Sequence, residues 1–195
     1  MHPSGFPTYQ ASSATDWRRY LAANHDQLAN TWLVLYKKDS GVPSLTYEEA
    51  RDEALCYGWI DSKPNKRDAD SYYLFFAKRN PKSNWSRVNK ERIAALEAAG
   101  KLAPPGVEMI AEAKRRGTWD ALNDVENLIV PEDLASELDK YPDARAYWDA
   151  FPPSTRRGIL EWIFNAKRAP TRTKRIVETA ELAAENKRAN QYPRQ

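Results

Sequence analysis

The sequence predicts an α+β protein, with a small antiparallel sheet and covering helices in a front lobe and a helical back lobe. Three observations point there. Short runs rich in β-branched and aromatic residues, at 31–37 (TWLVLYK), 59–62 (WIDS) and 71–78 (SYYLFFAK), all fall before Arg79, and such runs read as strands. From Asn84 onward apolar residues recur at helical spacing, with Pro131, Pro142 and Pro153 where a first-turn proline is tolerated. Seven Trp, ten Tyr and five Phe supply a core although the mean hydropathy is only −0.78, a balance that marks a globular chain with a heavily charged surface.

The N-terminal residues 1–14 are rich in Pro, Ser, Gly and Thr, and a mobile tail is expected there. They lack a basic segment followed by an apolar one, so no secretory signal is read. A first helix is expected at 15–29, with Thr15 as N-cap and Trp17, Tyr20, Leu21 and Leu28 at helical spacing. The strand at 31–37 ends in the turn Asp39-Ser40-Gly41. Thr46-Tyr47-Glu48-Glu49 forms a capping box that opens a helix running to Tyr57 and stopped by Gly58, a left-handed cap. The strands at 59–62 and 71–78, joined by a polar loop at 63–70, form an antiparallel hairpin that completes the sheet. Tyr73, Phe75 and Ala77 share one face of the second, and Tyr72, Leu74 and Phe76 the other, so both faces are expected to be covered. Helices follow at 84–99, 104–116, 131–140, 142–150, 153–167 and 172–187. The stretch 118–130 marks the junction, giving an α+β lobe at 15–120 and a helical lobe at 125–190, or one compact domain.

The net charge of +3 hides a sharper order. Residues 78–116 hold ten Lys/Arg against four acids, a local +6; residues 120–149 hold nine acids against Lys140 and Arg145, a local −7; residues 151–195 hold ten Lys/Arg against four acids, again +6. Either the acidic stretch folds onto its basic neighbours and neutralises them, or the basic segments converge on an anionic ligand.

Several chemistries are set aside by composition. The single cysteine, Cys56, forms no internal disulfide and fits a reducing compartment, so the cytoplasm is the expected location. It lies on the side of Glu49, Asp52 and Glu53 near a helix C-terminus, surroundings that oppose a thiolate. One Cys and two separated His, His2 and His25, make no zinc pattern, and no carboxylate run has the form of a calcium loop. The seven glycines form neither phosphate-binding fingerprint. No apolar run spans a bilayer. No cofactor, metal or assembled catalytic centre is therefore expected. Asp61, on a strand beside Trp59, is the carboxylate to watch, either as a perturbed acid or base or as a strand-end residue paired with a surface cation.

The densest cluster is basic and aromatic: Arg79, Lys82, Trp85, Arg87, Asn89, Lys90 and Arg92. Arginine forks match phosphate or carboxylate oxygens, and exposed Trp stacks flat rings, although Trp85 at a helix start also reads as a packing anchor. A second basic turn at 166–175 (AKRAPTRTKR) offers Lys167, Arg172 and Arg175 at the positive end of the last helix, with Thr171 as its cap. Salt bridges to the acidic stretch explain that turn equally well.

These segments resemble the YdeI/OmpD-associated family, also called bacteriocin-protection proteins. The resemblance is carried by Glu53-Ala54-Leu55-Cys56-Tyr57-Gly58-Trp59-Ile60-Asp61, Ser83-Asn84-Trp85-Ser86 with Asn89, Pro104-Pro105-Gly106, and Ala113-Lys114 with Gly117 and Trp119. Ser154, Arg156-Arg157, Trp162-Ile163, Ala166-Lys167, Thr171-Arg172 and Arg175-Ile176 extend it over residues 30–188. It implies an α+β front lobe, a helical back lobe and a part in stress or bacteriocin tolerance. Where the family often places Arg before the strand Phe, this chain has Phe75, and Pro170 stands where Glu is frequent.

The expected function is thus a cytoplasmic, non-catalytic or weakly catalytic protein of anion binding or stress tolerance, its ligand a small anion. Its expected site residues are Trp59, Asp61, Arg79, Trp85, Asn89, Arg92, Lys167, Arg172 and Arg175. The rivals are an enzyme using Asp61 with Arg79 as clamp, and a nucleic-acid binder using residues 78–116 and 156–175.

Overall fold

The computed structural model describes residues 5–190. The chain separates into two compact units, divided between Asp120 and Ala121.

The front unit contains β1 (Thr8–Gln10), α1 (Ala14–Asn24), β2 (Asn30–Tyr36), α2 (Tyr47–Cys56), β3 (Trp59–Lys66), β4 (Ser71–Lys78), α3 (Arg87–Ala98) and α4 (Pro104–Arg115), with a 3-10 turn at Lys38–Ser40. Its sheet has the order β1-β2-β4-β3. β2–β4 and β3–β4 are antiparallel, as expected, whereas β1 adds a parallel fourth strand, Thr8 lying opposite Trp32. The segment expected as a mobile tail is therefore structural from Thr8 onward; residues 1–4 lie outside the described range. Tyr9 accounts for this. Its ring stacks on Tyr20 at 4.0 Å, and its hydroxyl donates to Asp16 at 2.8 Å. Helix α1 opens at Ser13, not Thr15, because the Ser13 hydroxyl accepts the Asp16 N–H.

Trp17, Leu21, Leu33, Leu35, Ala50, Ala54, Trp59, Leu74 and Phe76 make one buried cluster between the sheet and α1–α2. The other sheet face carries Trp32, Tyr73 and Phe75, with Phe6 lying 6.0 Å from the Phe75 ring. Leu55, Cys56, Trp85, Ile93 and Ile110 form a second cluster among α2, α3 and α4. There α4 approaches α2 so closely that a Cβ on Gly106 would lie 2.3 Å from the Cys56 carbonyl oxygen. The capping box of Thr46 and Glu49 is formed, and Gly58 turns the chain into β3 at φ 70°.

Strand β3 runs four residues past the expected Ser62, into the presumed loop. A bulge between Asp61 and Pro64 shifts the register, so the strand accommodates a proline on the outer edge of the sheet.

The back unit contains α5 (Asn123–Glu126), α6 (Glu132–Leu138), α7 (Ala144–Ala150), α8 (Pro153–Phe164) and α9 (Ala169–Ala184). Helix α5 falls within the stretch expected as a plain junction. Helix α9 begins at Ala169 with Pro170 in its first turn, so Thr171 lies inside the helix instead of capping it. Leu134, Leu138, Trp148, Ile159, Leu160, Ile163, Ile176 and Ala180 pack its core. Among the described residues no helix is long and apolar enough to cross a membrane.

Candidate functional site

A set of groups with room for a ligand lies in the front unit, where α2 begins and the β3–β4 hairpin ends. A cavity of ≈ 580 Å³ is lined by Tyr47, Asp61, Asn65, Lys66, Tyr72 and Leu74, within the size range of small-molecule sites. Each side chain has a local reason to be there. Tyr47 is the first residue of α2, fixed by the Thr46 cap. Asp61 sits at the bulge, opposite Phe76 of β4, and beyond the bulge Lys66 stands opposite Tyr72. Bulges re-aim side chains, and this one brings an acid and a base of the same strand to one cavity.

The Tyr47 hydroxyl donates a 2.9 Å hydrogen bond to Asp61 Oδ2. Burial, then this bond and the carboxylate's charge, push the phenol above its ordinary pKa. The Arg51 guanidinium lies 5.1 Å from the centre of the Tyr47 ring, and its Nε and Nη2 are buried without a hydrogen-bond partner among the described residues. Tyr47 is thus held between a cation and a carboxylate; burial and the carboxylate outweigh the cation, which alone would favour the phenolate, and Tyr47 stays a neutral donor. Tyr72, on the opposite wall, is raised by burial and then by the charge of Glu48. Asp61 therefore pairs with a tyrosine of α2 and not with a surface cation.

The other expected site residues are dispersed. Arg79 was expected to project from the end of β4. It is instead 5% exposed, because its N–H donates to the Gly58 carbonyl and the chain folds the side chain inward. Its guanidinium lies 3.8 Å from the centre of the Trp85 ring and donates to the Asn84 carbonyl at 2.5 Å. Burial lowers its pKa to about 10. Trp85 is the packing anchor of that stack and meets Trp119 at 4.9 Å. Trp59 is buried in the sheet core and borders a separate ≈ 120 Å³ cavity with His25 and Met109. Asn89 lies in the first turn of α3, where its N–H donates to Ser86 Oγ. Arg92 Nη1 donates to both carboxylate oxygens of Asp52, at 3.0 and 3.1 Å.

In the back unit Arg172 forks onto Asp133 at 2.7 and 2.9 Å. Arg175 covers the Trp162 ring at 4.8 Å and donates to the Trp162 carbonyl, on the wall of a ≈ 440 Å³ hollow with Glu161. Lys167 is exposed. No anion cradle of Lys167, Arg172 and Arg175 is assembled, since two of the three point to different partners. Cys56 is buried and its thiol is pushed up chiefly by burial, with the charges of Glu53 and Asp52 as smaller contributions. Its sequence surroundings point only to the carboxylates and the helix end, and burial is the larger cause. Among the described residues no cluster of His, Cys, Asp and Glu is arranged to hold a metal.

Tyr47, Lys66 and Tyr72 were not among the expected site residues. Tyr47 reads in sequence as the start of a helix and Tyr72 as sheet packing; only the bulge unites them with Asp61. Of the expected set, Asp61 alone lines this cavity.

Comparison with known families agrees with the division into units. Residues 9–109, just over half of the chain, match a model described as a domain of unknown function (DUF8412). Residues 127–186 match one described as Bacteriocin-protection, YdeI or OmpD-Associated. No curated protein and no solved structure matches the chain.

Proposed function

The chain belongs to the family of the domain of unknown function DUF8412 and carries a YdeI/OmpD-associated domain, and from that premise we propose a ligand-binding protein of stress or bacteriocin tolerance. It works in the cytoplasm and acts by binding. Its ligand occupies the front-unit cavity, with a hydrogen-bond donor or cationic group on Asp61 and an anionic group toward Lys66.

The observation that supports this reading is the Tyr47–Asp61 hydrogen bond in the wall of a ≈ 580 Å³ cavity. An aspartate held by a neutral phenol keeps capacity to accept further donors. The anion sites first expected at the arginines are less favoured, since Arg92 and Arg172 already hold carboxylates. The same pairing weakens the nucleic-acid reading, because Arg115, Arg116 and Arg157 are also bound to acids.

A thermal-shift screen with amines, amino acids and phosphorylated metabolites tests the proposal. A ligand at a hundred times its Kd stabilises by about 2.7 kcal/mol. Asp61→Asn is expected to abolish the shift, and Tyr47→Phe to weaken binding by about fivefold, on the order of 1 kcal/mol. Shifts that survive Asp61→Asn unchanged reject the site.

A second reading, catalysis with Asp61 as base, draws on the same hydrogen bond. Arg79 is no clamp for it, being buried against Trp85. Turnover of a bound ligand that Asp61→Asn stops would favour this reading over simple binding.

A further inference from the structure

The Asp61 cavity does not end at Tyr72. A second hollow of ≈ 510 Å³, lined by Lys37, Lys38, Ser44 and Thr46 among others, shares both Tyr47 and Tyr72 with the first. The two rings form the waist of one groove. Its ends differ in charge: Asp61 stands at one and Lys37 with Lys38 at the other, while Lys66 of the first hollow stands opposite Tyr72, at the waist.

The strand register gives its length. Asp61 lies opposite Phe76 on β4, while the Lys37 N–H bonds the carbonyl of Asp70, just before the same strand. Six residues of strand separate those two positions, about 20 Å at roughly 3.3 Å per residue. One amino acid or one sugar does not reach across. An extended chain of about six residues does.

We propose that this groove binds an extended peptide of about six residues, its amino end on Asp61 and a carboxylate on Lys37 and Lys38. The inference rests on the cavity reading above and names its ligand class. Two observations favour a peptide over a nucleic-acid strand of similar length. A polyanion would set a phosphate beside the Asp61 carboxylate. A peptide with free ends matches the dipolar groove.

The test begins with a library of free-ended hexapeptides of mixed central sequence, retained on the full chain and identified by mass spectrometry. The best retained peptide is then titrated calorimetrically in three forms: free-ended, N-acetylated and C-amidated. Acetylation and Asp61→Asn are each expected to weaken binding about tenfold. Amidation and the double variant Lys37→Gln/Lys38→Gln are expected to do the same at the other end. In the lysine variant, amidation should cause no further loss. Both lysines are exposed, and among the described residues Lys37 Nζ donates only to the Ala69 carbonyl at 2.6 Å, so the melting temperature of that variant should stay within a few degrees of the parent and show that it folds. If no hexapeptide is retained, or if blocking either end costs nothing, the proposal is overturned. Asp61-dependent binding of small amines such as tyramine in that case leaves the cavity reading standing. Loss of all Asp61-dependent binding overturns both.

Discussion

In the front unit Arg79 lies buried on the face of Trp85, and among the described residues no carboxylate pairs with it. In the back unit Arg157 and Arg172 each fork onto a carboxylate, Glu126 and Asp133. The glycines repeat the contrast. Gly106 in the front unit has the Cys56 backbone against it, while Gly158 in the back unit has nothing within 4 Å of where its Cβ would stand. The contrast belongs to these positions and not to every residue of each unit. Arg79 and Gly106 sit against an indole and backbone, whereas Arg157 and Arg172 meet carboxylates and Gly158 meets open space. The front unit also pairs Arg92, Arg115 and Arg116 with acids. A basic run in sequence can accordingly be an internal fixture or a solvated pair. In neither case is it a ready anion site.

The sharpest test is Gly106→Ala. The new methyl would force α2 and α4 apart, because its obstacle is backbone and not a flexible side-chain end. A loss of about 3 kcal/mol or more is expected, read from the urea midpoint of the front unit by tryptophan fluorescence. A loss under about 1 kcal/mol would show that the helices yield, and would end the contrast between these positions.

Arg79→Ala comes next. It removes a guanidinium packed on an indole and leaves the Asn84 carbonyl without its donor, an expected loss of about 2 kcal/mol. Lys at the same position should not restore it, since an ammonium lacks the planar stacking surface. Binding at the Asp61 groove should be unchanged. Weakened binding with unchanged stability would return Arg79 to the site.

Arg172→Gln should cost at most about 1 kcal/mol, because both partners are partly exposed. The sign of its pH dependence is definite. The Arg172 hydrogen bonds hold the Asp133 carboxyl below its ordinary value. The stabilisation is therefore full above the unfolded aspartate pKa, about 3.9, and is lost as pH falls through the lowered folded value. Parent and variant should differ at pH 7 and converge under acid. A gap that widens in acid would contradict the pairing.

The smallest effect has the opposite sign. Gly158→Ala, inside α8 with open space around it, should stabilise the back unit by about 0.5–1 kcal/mol. Calorimetric melting would detect the rise, and a fall would reveal crowding that the open position does not predict.

Local signals were legible in the sequence and distant pairings were not. The Thr46–Glu49 box, Gly58 and the two-face alternation of 71–78 specify α2, its end and β4 through contacts a few residues long. β1 escaped notice because three residues gain strand character only by lying beside Trp32 and Leu33. The continuation of β3 was hidden by Pro64, which an edge strand with a bulge tolerates. Asp61 was identified as worth watching from its place beside Trp59, yet its partner Tyr47 stands 14 residues away. The counter-ions of Arg157 and Arg172 lie 31 and 39 residues away, so the charge runs showed an excess without showing its destination.

The parallel strand at Thr8–Gln10 has a consequence for how the chain survives damage. β2 reads Asn-Thr-Trp-Leu-Val-Leu-Tyr, seven residues without charge, proline or glycine, the composition of a segment that stacks on copies of itself. β4 covers one of its edges and β1 covers the other. A protease cut that released β1 would leave a row of unpaired main-chain groups on this aggregation-prone strand. Those three residues act as a guard rail, and a chain clipped ahead of Ala11 should precipitate from solution while its helices are still folded.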